Sequence, residues 1–157
     1  EMIKKTIEET GFSYFEHLKI EITETNAMYN FEENVRKILE LKELGIDTFI
    51  DDFGIGYSSL SYLKKLPVNT FKVDKLFIDN IVTDKEEKKF AESIIKMVKS
   101  RNKNVIVEGV SSFEQFEILR EFDCDKLQGF YFSKPVPRNE FENYFSYKDG
   151  LLPTKKF

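Results

Sequence analysis

Two adjacent carboxylates, Asp51 and Asp52, close the apolar run Thr48-Phe49-Ile50 and are followed at once by Gly54-Ile55-Gly56. Other groups that could do chemistry recur at comparable places along the chain. Glu21 sits in the alternating run His17 to Glu24, Lys72 and Asp74 in Thr70 to Asp74, Glu108 at the end of Asn104 to Gly109, and Gln128 in Lys126 to Phe132. Carboxylates gathered at strand ends repel one another, and hard divalent cations are the common compensation where oxygen ligands collect. A lysine among them is a compact positive charge suited to a phosphate oxygen. The plainer alternative for Asp51 and Asp52 is a solvated acidic loop that caps a helix. Acids on four successive strand ends argue for a metal or acid/base site instead, because burying charge costs several kcal/mol per ion before any pairing.

The elements that must carry these groups can be read from periodicity. Met2 to Thr10 has Met2, Ile3 and Ile7 on one face and Gly11 just past its end, the pattern of a helix. His17 to Glu24 alternates as a strand, with Lys19, Glu21 and Thr23 on one face. Asn30 to Leu44 is predicted as a helix capped by Asn30, with Glu33 at the capping-box position and Phe31, Val35, Ile38 and Leu39 inward. Ile46 to Asp52 is the second strand, and Ser58 or Ser59 could cap a short helix through Leu63. Thr70 to Asp74 is the third strand, with Lys72 and Asp74 on one face, and the stretch Lys75 to Thr83 has no clear assignment. Asp84 caps a long helix to Ser100 with Phe90, Ile94 and Val98 inward, and Asn104 to Gly109 reads as a strand buried on both faces. Ser112 and Gln115 form a capping box for a helix carrying Phe113, Phe116 and Leu119. Lys126 to Phe132 is the fifth strand, and Pro135 and Pro137 precede a last helix through Phe141, Tyr144 and Phe145. Alternating strands and helices predict parallel strands in an α/β architecture. Charged side chains at their carboxyl ends are what one face of a β/α barrel presents.

Composition narrows the function classes. The 157 residues suit one domain, 41% hydrophobic content supplies a core, and a net charge of −4 with interleaved signs argues against a nucleic-acid polymer as partner. The single Cys124 excludes an internal disulfide and fits a reducing compartment. No apolar run approaches the roughly 18 residues of a membrane span. Gly54-Ile55-Gly56 lacks the third glycine of a dinucleotide turn, His17 has no partner ligands, and the 16 phenylalanines are expected in the core.

Five motifs in order now carry a resemblance. EITE (Glu21 to Glu24), DDFGIGYSSL (Asp51 to Leu60), LPVNTFKVDKLFI (Leu66 to Ile78), VIVEGV (Val105 to Val110) and DCDKLQGFYFSKPVP (Asp123 to Pro137) are similar to those of the EAL domain family, the cyclic-di-GMP-specific phosphodiesterases. The resemblance implies a (β/α)8 TIM-type barrel, here incomplete with about five βα units. It implies hydrolysis of cyclic-di-GMP to the linear dinucleotide with two divalent cations, Mg²⁺ or Mn²⁺. Carried over by position, Glu21, Asp51, Asp52 and Asp74 resemble the metal-binding acids. Lys72, Glu108 and Gln128 resemble the catalytic residues. Glu24, Gly54 and Gly56 resemble the elements that steady the loop after Asp52, a loop tied in the family to dimerisation.

The pattern also departs from the family. Its name-giving Glu-Ala-Leu and a metal-binding Asn belong to earlier strands that are not in this chain, and Ser111 stands where a second glutamate is usual. Residues 1–150 are therefore expected to be the C-terminal two-thirds of an EAL domain, with 151–157 a loose tail. The resemblance further implies a cytoplasmic location, with the parent chain anchored to a membrane in some cases, and an upstream sensor or cyclase domain. An open sheet predicts a homodimer or oligomer, and incomplete ligands predict little turnover by these residues alone. The competing expectation is a catalytically silent domain that binds cyclic-di-GMP as a receptor or serves as a protein-interaction module.

Overall fold

Five strands, β1 (Lys19–Thr23), β2 (Asp47–Phe53), β3 (Thr70–Val73), β4 (Asn104–Val107) and β5 (Lys126–Leu127), pair in parallel in chain order in the computed structural model. The structure describes residues 2–12, 14–56 and 64–144. Among the described residues six α-helices accompany the strands: α1 (Met2–Thr10), α2 (Glu24–Met28), α3 (Phe31–Glu43), α4 (Lys85–Lys99), α5 (Phe113–Arg120) and α6 (Arg138–Tyr144). Because all five strands run the same way, their carboxyl ends lie along one edge, and the sheet forms part of a β/α barrel wall. No described helix is long and apolar enough to cross a membrane.

The middle of the sheet is the core. Ile50, Phe71, Val73, Val105 and Val107 have no solvent exposure, as expected for strands covered on both faces. Helix α4 lies against them with Ala91, Ile94, Ile95 and Val98. Its start follows from Asp84, whose carboxylate accepts from the amides of Glu86 (2.8 Å) and Glu87 (3.3 Å). Acids in its first turn and Lys96 and Lys99 in its last suit the helix dipole.

Several expectations change on contact with the structure. Asn30 precedes α3 in the left-handed region (φ 49°) and makes no side-chain cap, while Glu33 pairs with Lys37 at 2.6 Å rather than closing a capping box. The reason is local: α2 ends at Met28, and the chain must turn sharply before α3 begins. Leu39, Phe90 and Phe113 are exposed, because each lies off the stripe that meets the sheet. Phe12, Phe130 and Phe141 are exposed too, so the phenylalanines are not uniformly core. Asp74 lies outside β3 and caps the turn 75–77 by accepting from the Leu76 amide at 2.8 Å. The expected helix from Ser58 to Leu63, Phe145 and the tail 151–157 fall outside the described residues.

The fifth strand is much shorter than 126–132. It stops at Leu127 because the backbone of Gly129 is pressed onto Val110: the Gln128 carbonyl accepts from the Val110 amide at 3.1 Å, and the Tyr131 amide donates to the Val110 carbonyl at 3.0 Å. A Cβ on Gly129 would stand 2.1 Å from the Val110 carbonyl oxygen, a contact only glycine avoids. The expected result of Gly129→Ala is a loss of roughly 2–3 kcal/mol of stability from overpacking against backbone, measured as a lower urea midpoint with an unchanged slope.

Candidate active site

Lys72 is the centre of the strand-end constellation. It points from β3, flanked by Phe71 and Val73, and is itself only 5% exposed. Its Nζ donates to Glu21 Oε2 from β1 at 2.7 Å and stands 3.0 Å from Asp51 Oδ1 of β2 and 2.9 Å from Glu108 Oε1 just past β4. Parallel register produces this meeting. Thr23 is level with Asp51, Lys72 is level with Ile106, and the Glu108 amide donates to the Val73 carbonyl at 3.0 Å. Side chains from three strands and the end of a fourth, staggered by about two residues in register, thus converge on the Lys72 ammonium.

The second acid of the pair is aimed by a backbone irregularity. Pairing of β2 with β3 is regular to Ile50 and resumes at Phe53, and between them Asp52 takes φ 54°. Such a break re-aims side chains beside active sites, and aspartate is among the few residues that enter the left-handed region readily. Asp52 has no ion-pair contact with Lys72 among the described residues. It instead senses the charges of Asp51 and Asp74. Asp74 is held back by its capping bond to Leu76. Gln128 lines a cleft of about 420 Å³ with Gly129, Phe130, Lys134 and Phe141, whose described lining includes none of the four residues at the Lys72 hub.

Charge at the site is unbalanced toward the negative. Burial lowers the affinity of Lys72 for its proton, but contacts with Glu21, Glu108 and Asp51 more than offset this and raise its pKa above the ordinary lysine value. Burial pushes Glu108 above the usual glutamate range; Lys72 pulls it down, while Asp51 and Glu21 add to the rise. Asp52 is raised in the same way, by burial first and then by Asp51 and Asp74. Asp51 Oδ1 is inaccessible and accepts no aligned hydrogen bond; the Lys72 ammonium is a neighbour by charge only. One ammonium therefore serves several carboxylates, and one buried oxygen lacks a hydrogen-bond donor.

An all-oxygen donor set with surplus negative charge fits hard divalent cations such as Mg²⁺ or Mn²⁺. Among the described residues, no group of three or more acids, histidines or cysteines is arranged around a metal position as it stands. The Lys72 ammonium lies between the carboxylates that would form it. Cys124 plays no part: its thiol is partly buried, which pushes its pKa up to about 12.

Two supports surround the hub. Glu24, 2% exposed at the start of α2, accepts from the Gly54 amide at 2.7 Å and the Gly56 amide at 3.3 Å. Gly54 turns there with φ 101°, with the Phe77 ring so close that a Cβ would meet it at 2.7 Å. These are the loop-steadying residues named from the sequence. The other support, Gln115, was visible only as half of a capping box. The Ser112 hydroxyl accepts from the Gln115 amide at 3.2 Å, but the buried Gln115 side chain accepts from Ser111 N (2.8 Å) and Ser111 Oγ (3.0 Å) and donates to the Ile78 carbonyl at 3.0 Å. It ties the loop after Glu108 to the loop after Asp74. The signal was its capping-box spacing; its second partner, 37 residues away, left no trace in local pattern.

For Glu24→Ala, the expected outcome is a loss of about 2 kcal/mol, since two loop amides lose a charged acceptor. Hydrogen exchange at Gly54 and Gly56 should speed up while β4 amides stay protected.

Comparison with known proteins gives the family and the fold. The profile of the EAL domain family matches residues 2–135. The cyclic di-GMP phosphodiesterase NbdA of Pseudomonas aeruginosa is 37% identical over 152 residues, which cover 96% of this chain and 19% of that protein. The structure of the PaMucR phosphodiesterase in its c-di-GMP complex superposes with a TM-score of 0.81 at 32% identity, covering 88% of this chain and 56% of that one. The Klebsiella pneumoniae BlrP1 structure, a manganese/cy-diGMP complex, does so with a TM-score of 0.74 at 29% identity, covering 86% and 34%. The chain spans about a fifth of the length of the curated relatives it matches, between 16% and 22% for YkoW, NbdA, DosP and PdeR. A profile matched from residue 2 to residue 135, on a parallel β/α sheet whose strand ends carry the acids and the lysine, makes this chain a member of the EAL domain family.

Proposed function

We propose that this chain forms part of a cyclic-di-GMP phosphodiesterase site. The observation that carries the reading is the Lys72 ammonium held within 3.0 Å of acids from three different strand ends. Glu21, Asp51 and Asp52, with Asp74 behind them, would hold two divalent cations, Mg²⁺ or Mn²⁺. Such cations supply charge neutralisation to a phosphodiester and activate water at neutral pH. The chain's own residues do the rest. Lys72 offers its ammonium, a localised charge, to a phosphate oxygen. Glu108, raised toward neutrality by burial, accepts the proton of the attacking water. Gln128, in the lining of its cleft, orients the dinucleotide. Glu24 keeps the 54–56 loop folded beside Asp51 and Asp52.

Related proteins support this reading, since NbdA is a cyclic di-GMP phosphodiesterase and PaMucR was solved with c-di-GMP. A second reading, a catalytically silent receptor for cyclic-di-GMP, is favoured by one observation: the carboxylates are already satisfied in part by Lys72 rather than set around a metal position. The outer edges of β1 and β5, unpaired among the described residues, support association with further strands or a second copy.

Conversion of cyclic-di-GMP to the linear dinucleotide separates the readings. It should be followed for residues 1–157 and for the longer EAL chain that carries them, with Mg²⁺ or Mn²⁺ and with chelator. The enzyme reading expects metal-dependent turnover by the longer chain, little by residues 1–157, and a loss of at least about a hundredfold for Lys72→Ala or Glu108→Gln. Binding of cyclic-di-GMP without turnover by either form, with or without metal, decides for the receptor.

A further inference from the structure

We propose that Lys72 is a built-in counter-cation: without metal its ammonium holds Glu21, Asp51 and Glu108 together, and divalent cations take Glu21 and Asp51 only by displacing it. The inference rests on the reading of Glu21 and Asp51 as metal ligands, and it assigns the lysine a role before any substrate arrives.

Three facts lead to it. The ammonium is buried yet lies 2.7 to 3.0 Å from three carboxylates drawn from different strand ends, so it occupies the point where their negative charge is concentrated. Only the contact with Glu21 is an aligned hydrogen bond, and Asp51 Oδ1 is left without one, so the lysine neutralises the cluster without saturating it. And no metal-binding group is arranged among the described residues, although the donor set has the chemistry for one. An ammonium and a hard divalent cation compete for the same oxygens. The ion carries twice the charge and accepts several oxygen ligands at once; the lysine has three donors on a flexible stem and can swing aside. Displacement has a consequence for order. An ammonium set among three carboxylates has its charge already matched and offers little to a phosphate, whereas one released by the cations is charged, close and unpaired. Lys72 would thus become available to an anionic ligand only after the metals arrive.

The test is metal binding, read without turnover. Mn²⁺ is titrated into purified residues 1–157 and into Lys72→Met, which keeps the stem and removes the charge, and free Mn²⁺ is followed by electron paramagnetic resonance. The inference expects Lys72→Met to bind at least about tenfold more tightly. It also expects the variant to melt lower than wild type without metal and to close most of that gap when saturated. Equal or weaker binding by the variant overturns the inference while leaving the metal site standing. Binding by Lys72→Met but not by wild type supports it, and absence of binding by both overturns it together with the metal reading. Should the variant not fold, the wild-type chain decides. The Lys72 ammonium protons, slowed in exchange by their ion pairs, should give a nitrogen-correlated signal that disappears on saturation with Mg²⁺. Persistence of that signal while Mg²⁺ binds overturns the inference.

Discussion

An ammonium buried in a β-sheet has to be matched by negative charge, and nearly everything at the carboxyl edge of this sheet follows from how Lys72 is matched. Its neighbours Phe71 and Val73 are fully buried, so β3 fixes the lysine's backbone in the core and leaves only its flexible stem free to move. Parallel pairing then delivers the partners, because strands in the same direction carry Glu21, Asp51 and Glu108 to the same side of the sheet's carboxyl edge, within two residues of Lys72 in register. Breaking such a cluster by removing one member leaves an uncompensated buried charge, at a cost of about 3–5 kcal/mol. The cluster is thus a constraint on register as well as a site for chemistry, and the barrel wall and the site are held by the same contacts.

Around that hub the loops are tied by groups that carry no obvious chemistry. Glu24 spends a buried carboxylate on two backbone amides of the loop after Asp52. Gln115 links Ser111 to Ile78, joining the loops that follow Glu108 and Asp74. Gly129 lets the chain after β5 lie on Val110, two residues past Glu108. Each loop after a site residue is therefore fastened to its neighbour. Ser111, which departs from the family's usual glutamate, adds a hydroxyl donor to the Gln115 carbonyl oxygen and so strengthens one of these ties.

The alternating strands and helices, their parallel arrangement and the convergence of Glu21, Asp51, Lys72 and Glu108 could be read from the chain because burial imposes period and charge at strand ends is rare. What escaped was set by tertiary contacts. Leu39, Phe90 and Phe113 fit a helical stripe by spacing but face outward, since helix orientation depends on the sheet it meets. Asn30 is where a cap belongs, but the preceding helix α2 forces it into a left-handed turn. Asp74 alternates with Lys72 in sequence but leaves the strand to cap a turn. The positive φ of Asp52 and the long-range bonds of Gln115 depend on partners far along the chain. The central role of Lys72, linked to three acids at once, is set by contacts between strands that no local pattern in the sequence records.

The central claim is that the carboxylates around Lys72 are a cation site, and anomalous diffraction tests it most directly. Crystals of residues 1–157 grown with Mn²⁺ and measured at the manganese edge should show anomalous density within bonding distance of Glu21, Asp51 and Asp52, with Lys72 Nζ moved away from Asp51. Well-ordered carboxylates with no anomalous density beside them, and Lys72 still at its present distances in saturating Mn²⁺, would contradict the account.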